Sequence, residues 1–190
     1  MPQDTPYNKQ NSNSYYHAVI NESLIGRTIH EHIDSIAVMR PQAEALVGCE
    51  QGLRLSYDEL VKKSRQLAMS LLATGISRGD RLGIWSTNNV EWFVIFLAAS
   101  RIGAILVNIN PGYKTTELEY VINQSGLKLV FAVRTNRTSD YLVMLKEISG
   151  HLFSQTGNSA SSCCPDLEMI VVIDRPEVNG IFDSDSDSYI

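Results

Sequence analysis

The sequence predicts an α/β fold, a partial doubly wound, mainly parallel sheet with flanking helices. Three observations carry that prediction. Short apolar runs alternate with amphipathic helical segments along the chain. The runs Asp80–Ser86 (DRLGIWS), Ala104–Asn108 (AILVN) and Leu127–Val133 (LKLVFAV) are too uniformly apolar for a sheet with one wet face, and fit strands covered on both sides. The helical segments open on capping residues and close on glycine or proline, so the connections are short.

Residues 1–24 are polar and aperiodic and read as a flexible amino-terminal arm. From Thr28, the residues Ile29, Ile33, Ile36 and Ala37 recur at helical spacing up to Arg40, and Pro41 closes the helix by pushing its predecessor out of helical torsions. Glu44–Cys49 and Leu53–Ser56 form a hairpin around Glu50-Gln51-Gly52. Ser56 and Glu59 make a capping box for a long helix, with Leu60, Val61, Leu67, Ala68, Leu71 and Leu72 as its apolar stripe and Gly75 as its left-handed stop. After the strand at 80–86, Asn88-Asn89 precede an apolar helix from Val90 to Ile102 that Gly103 ends. The strand at 104–108 runs into Pro111-Gly112, and Thr116 with Glu119 predicts a second capping box on a helix that Gly126 stops. Leu127–Val133 is a strand, Tyr141–Ile148 a short helix, Gly150–Pro165 an aperiodic surface loop, and Glu168–Asp174 a last strand of Val and Ile. Residues 25–175 are thus expected to form one α/β unit, and 176–190 an acidic disordered tail.

Bulk properties narrow the function. A net charge of −5 without a Lys/Arg cluster removes the electrostatic footprint of a nucleic-acid binder. Cys49, Cys163 and Cys164 are odd in number and lack Cys-x-x-Cys spacing, which argues against a disulfide framework or a zinc site and for a reducing compartment. The longest apolar run, Trp92–Ala99, is eight residues, against the roughly 20 that span a bilayer, so no transmembrane segment is expected. The first sixteen residues hold one Lys and no apolar core, which fits neither a secretory signal nor a transit peptide. A cytoplasmic location is the expectation, with mitochondrial and peroxisomal addresses left open. The sequons at Asn21, Asn123 and Asn136 read as chance matches.

A doubly wound parallel sheet places ligands beyond the carboxyl ends of its strands, so the loops after Ser86, Asn108 and Val133 are where a site is sought. In the first, Asn89 serves as a helix cap and Glu91 faces the positive end of the helix dipole, which accounts for both without a ligand. In the second, Asn108, Asn110, Pro111 and Gly112 read as a structural turn, and Glu117 and Glu119 would repel a phosphate from the helix that follows. Ser154–Ser159 resembles a phosphate loop in composition only, with one glycine and no lysine. His17, His30, His32 and His151 have no metal-ligand spacing, and Ser100 and Thr87 have no His or Asp arranged near them in sequence. The tail DSDSDSYI has carboxylates at alternate positions, yet Ser188 stands where a calcium loop needs glycine. No catalytic, cofactor-binding or metal residue is expected in this sequence.

Several ordered blocks carry a resemblance. Ser56-Tyr57-x-Glu59-Leu60 opens a helix, Gly79-Asp80-Arg81-Leu82-Gly83-Ile84 enters a strand, Asn89-x-Glu91-Trp92 opens the next helix, and Gly103–Tyr113 precedes Glu117-Leu118-Glu119-Tyr120. From Ile25 to about Ile148 this series resembles the amino-terminal segment of the AMP-forming acyl-CoA synthetases, within the adenylate-forming superfamily. The wording around Val107–Pro111 and Glu117–Gly126 is most similar to the medium- or long-chain fatty-acyl branch. The resemblance implies a chain that belongs to the first subdomain of such an enzyme. Members of that family join a carboxylate to AMP with ATP and magnesium, then pass the acyl group to CoA. It also implies that the phosphate loop, the adenine and ribose contacts and the mobile lysine lie further along than Ile190. The expectation is therefore an amino-terminal fragment of a fatty-acid-CoA ligase, inactive alone, using no ATP, Mg2+ or CoA by itself. Its expected partner is the remainder of the ligase or a homologous ligase subunit, with self-association through faces that are otherwise covered. A non-catalytic module that pairs with a full-length ligase remains the alternative. An unrelated flavodoxin-like binding protein is disfavoured by the ordered blocks.

Overall fold

The computed structural model describes residues 24–153 and 163–173. The expected arm, apart from Leu24, the Ser154–Ser159 stretch, the sequon at Asn21 and the acidic tail lie outside the described residues. The elements in chain order are α1 (Ile29–Met39), β1 (Glu44–Gly48), β2 (Leu53–Ser56), α2 (Tyr57–Ala73), β3 (Arg81–Trp85), α3 (Val90–Ile102), β4 (Ile105–Asn108), α4 (Thr115–Ser125), β5 (Leu129–Val133), β6 (Thr135–Asn136), β7 (Ser139–Asp140), α5 (Tyr141–Ile148), a 3-10 turn (Gly150–Phe153) and β8 (Met169–Ile173). The predicted fold class is the observed one.

Four parallel strands make the central sheet in the order β4-β3-β5-β8. The connection from β3 to β4 and the one from β4 to β5 move in opposite directions across the sheet. Right-handed crossovers therefore place α3 and α4 on opposite faces. α2 packs on α3, and α4 packs with α5. The main core includes Ala68, Leu71, Ile95 and Ala98 from one helical layer, Leu118, Ile122 and Leu145 from the other, and Leu82, Ile84, Leu129 and Phe131 from the sheet between them. A second cluster of Leu55, Leu60, Val90, Val94 and Leu97 seats the β1–β2 hairpin against α2 and α3. Gly83 is glycine for lack of room: a Cβ there would sit 2.6 Å from a Leu127 methyl, in the middle of β3.

Helix boundaries follow local chemistry. Thr28 and Glu31 form a capping box on α1, and Ser56 and Glu59 one on α2. At the end of α2, Gly75 takes φ +88 while its N–H donates to the Leu72 carbonyl and that of Ile76 to Leu71, the two bonds of a Schellman stop.

Four expectations need correction. The helix α4 begins one residue earlier than its predicted cap: Lys114 is the N-cap, in extended conformation, and its backbone N–H donates to the Glu117 carboxylate at 3.0 Å, so Thr116 and Glu119 do not form the box. Thr115 is drawn into the first turn because its hydroxyl bonds the Glu147 carboxylate of α5 at 3.0 Å. Leu72 is 54% exposed, since the buried face of α2 runs Leu60, Val61, Ser64, Ala68, Leu71 and Leu72 lies a full step round from it. The Gly150–Pro165 segment read as a surface loop starts with a 3-10 turn, and its penultimate residue, Cys164, is fully buried and preceded by a Cys163 N–H bonded to the Ile148 carbonyl. The small hairpin β6–β7, with Arg137 at φ 53, was not expected, being two residues a side and polar.

Candidate functional site

The strand order puts the topological switch point between β3 and β5, so the crevice outside their carboxyl ends is where a ligand belongs in this architecture. In this chain that place is filled by its own side chains. Trp85, the last residue of β3, stacks on Tyr141, the first residue of α5, with ring centroids 3.5 Å apart and planes within 4°. Both residues are fully buried.

The turn after β4 lies across this stack. The Trp85 indole N–H donates to the Asn110 carbonyl at 3.1 Å, and the Tyr141 hydroxyl donates to the Pro111 carbonyl at 2.6 Å. Asn136 of the small hairpin donates from Nδ2 to the same carbonyl at 3.2 Å and to the Tyr141 oxygen at 2.9 Å. Within the turn, the Gly112 N–H reaches Asn110 Oδ1 at 2.8 Å and the Tyr113 N–H reaches the Asn110 carbonyl. Lys114 Nζ donates to Ser139 Oγ at 2.6 Å, tying the turn to β7. Burial raises the Tyr141 phenol above its ordinary value, and the bond from Asn136 only partly offsets this. The phenol therefore stays a donor at neutral pH. The sequon at Asn136 has its amide engaged in this network.

The loop after β3 is equally self-contained. Asn89 Oδ1 accepts the Trp92 N–H at 2.7 Å, its Nδ2 donates to Ser86 Oγ at 2.6 Å, and Ser86 donates to the Thr87 carbonyl at 2.8 Å. Asn89 is the cap the sequence predicted. Glu91 is more than a dipole partner: it is 2% exposed, and its carboxylate accepts from Gln51 Nε2 at 3.1 and 2.8 Å. Gln51 Oε1 in turn accepts the Val90 N–H at 2.8 Å, which pins the β1–β2 turn to the start of α3.

Two polar clusters elsewhere join residues that are remote in sequence. His30 Nδ1 lies 3.2 Å from Ser100 Oγ, a serine–histidine contact invisible in the spacing. The same ring nitrogen lies 3.3 Å from Thr28 Oγ1, and Asp34, one turn further along α1, is held by Arg101 at 2.6 and 2.9 Å and by Arg65 at 2.8 Å, so these contacts brace α1 against its neighbouring helices. His32 and His151 are not brought to it; His151 Nε2 contacts the Leu167 carbonyl at 3.1 Å. A shallow groove lined by Thr116, Glu119, Tyr120, Asn123 and Gln124 runs along α4. Among the described residues no group of three His, Cys, Asp or Glu is placed to hold a metal ion. No helix among them is long and apolar enough to cross a membrane.

The geometry of the strand ends is thus that of a joint: the turn after β4 is bonded to Trp85, to Tyr141 and to the β6–β7 hairpin, while the loop after β3 is braced by its own Ser86–Asn89 bonds. The Trp85–Tyr141 pair does not fit ATP, magnesium or CoA, because its two rings occupy the crevice and its indole N–H and phenol O–H are already bonded to the Asn110 and Pro111 carbonyls.

Comparison with known proteins places this joint in a family. The chain matches AMP-binding enzymes over residues 33–187. It belongs to that AMP-binding enzyme family. The rat (Rattus norvegicus) medium-chain acyl-CoA ligase ACSF2, mitochondrial, is 35% identical over 164 residues, covering 86% of this chain and 27% of the rat protein. Its zebrafish (Danio rerio) counterpart is 30% identical over 165 residues, covering 86% of this chain and 27% of the relative. Among solved structures, the N-terminal domain of FACL13 from Mycobacterium tuberculosis superposes with a TM-score of 0.64 at 22% identity, over 76% of this chain and 33% of that one. The long-chain-fatty-acid-CoA ligase FadD1 from Archaeoglobus fulgidus does so at 0.63 and 21%, over 84% of this chain and 30% of that one. These two likenesses concern the fold. The chain spans 27% of the length of the rat and zebrafish relatives, and is a partial acyl-CoA ligase homologue.

Proposed function

We propose that this chain serves as the amino-terminal scaffold of a medium- or long-chain fatty-acid-CoA ligase, the part on which the adenylating and thioester-forming machinery is mounted. The observation that carries the reading is the self-satisfied joint at the switch point. Where a free-standing doubly wound protein would bind its ligand, this one has the Trp85–Tyr141 stack and a locked Asn110–Gly112 turn. The shared 27% of the medium-chain ligase relatives supports it. On this reading ATP, Mg2+ and CoA are bound by the rest of the ligase.

The test is a chimera in which residues 33–187 replace the matching segment of the rat ligase. Fatty-acid-dependent ATP–pyrophosphate exchange is expected from the chimera and not from this chain alone. Exchange by the chain alone, or a folded chimera without exchange, would overturn the proposal.

A further inference from the structure

β8 has the composition of an inner strand and the position of an outer one. All five of its residues, Met169–Ile173, are apolar, yet only Ile173 is buried and the other four are half-buried. Its neighbour β5 is equally apolar, pairs with it in register from Leu129 to Val133, and is buried at every position. The difference lies in what flanks them. β5 has a strand on each side, whereas among the described residues β8 is paired on one side only. Free edges in natural sheets are blunted by charge, proline or a bulge. β8 contains no charged residue and no proline, and its register with β5 is unbroken. The opposite edge, β4, is a residue shorter and ends on the polar Asn108.

Segments 1–23, 154–162 and 174–190 contain no apolar run longer than three residues, Ala18–Ile20. A second copy does not answer the need either. Two-fold pairing would set β8 against β8 antiparallel and join two half-buried edge strands, bringing no further layer to cover them. What is wanted is a strand to continue the sheet, with its own covering layer. We infer that β8 is the docking edge for the remainder of an acyl-CoA ligase, which adds a strand there and covers Ile170 and Val172 on one face and Met169 and Val171 on the other. This rests on the function proposed above. The rat ligase shares 27% of its length with this chain, and the rest lies outside the shared region, so a polypeptide of that kind is available to fill the edge.

The experiment co-expresses the full 190-residue chain with the rat ligase from which the shared segment has been deleted, the deleted segment supplied in trans being the positive control. Hydrogen exchange is read on peptides covering 169–173. The expected result is a one-to-one complex in which the β8 amides exchange at least about tenfold more slowly than in the chain alone, while β3 amides are unchanged. Ile170→Lys with Val172→Lys abolishes the complex while leaving β3 protected, and Ile105→Lys on the opposite edge preserves it. The inference is overturned by a complex in which β8 exchange is unaltered, by protection at β4 instead, by no complex when the control forms one, or by concentration-dependent protection of β8 in the chain alone. An active covalent chimera alongside any of these leaves the proposed function standing and removes only the docking edge.

Discussion

Replacing Asp34 by asparagine is the most informative single perturbation of this fold, because one carboxylate joins three helices. Asp34 of α1 receives Arg101 of α3 through two bonds and Arg65 of α2 through a third. Arg101 is only 9% exposed at its side chain and also donates from Nε to Ser64 Oγ at 2.9 Å, with Ser64 itself buried. The bonds from Arg101, reinforced by Arg65 and opposed by burial, hold the Asp34 carboxyl at about 2 against an ordinary 3.8. A folded value below the unfolded one adds stability that is present above the unfolded pKa and disappears as pH falls through the folded one. At 1.36 kcal/mol per pH unit the difference amounts to roughly 2 kcal/mol. Asp34→Asn also leaves the Arg101 charge underpaired, so the expected loss at pH 7 is about 2–3 kcal/mol. Urea unfolding of parent and variant from pH 7 to pH 2 reads it directly. The gap should be constant above about pH 4 and close towards pH 2. A difference below about 0.5 kcal/mol at pH 7, within the range of an exposed ion pair, or one that ignores pH, would refute the reasoning.

Two further outcomes follow from particular contacts. Tyr141→Phe keeps the stack on Trp85 but removes the bond to the Pro111 carbonyl, and should cost about 1–2 kcal/mol, because Asn136 still reaches that carbonyl; in thermal melts it should destabilise clearly less than Tyr141→Ala, which also leaves a cavity under Trp85, and equal losses would show that the hydroxyl contributes all of it. Burial pushes the Cys164 thiol up to about 11, while Cys49 and Cys163 are exposed; alkylation with iodoacetamide at pH 8 should label the two exposed thiols first and reach Cys164 only as urea unfolds the chain, and simultaneous labelling would contradict the packing around residue 164.

Local chemistry was legible in the residues themselves. Capping is decided within four residues, so Ser56 with Glu59, Asn89, Gly75 and Gly103 could be placed without any tertiary knowledge. The apolar strands could be too, because a strand covered on both faces must be apolar at every position, as β5 is. The ordered blocks carried the family as well. Where two local solutions competed, sequence was insufficient. Around α4 a glutamate stands three residues after both Lys114 and Thr116, and the bond between Thr115 and Glu147 of another helix accompanies the earlier start.

The contacts that define the candidate site are another matter. In the sequence Trp85 falls in an apolar strand and Tyr141 opens a short helix, and nothing in a linear pattern says that the two will meet. The same holds for His30 with Ser100 and for Asp34 with Arg101, separated by 70 and 67 residues. Hydrophobic period and caps act over one or two turns of chain and so determined the elements, while the resemblance of the ordered blocks carried the family. The β4–α4–β5 connection past β3, a decision of the sheet as a whole, brought the Asn110–Gly112 turn onto the stack and filled a potential ligand crevice with the chain's own side chains.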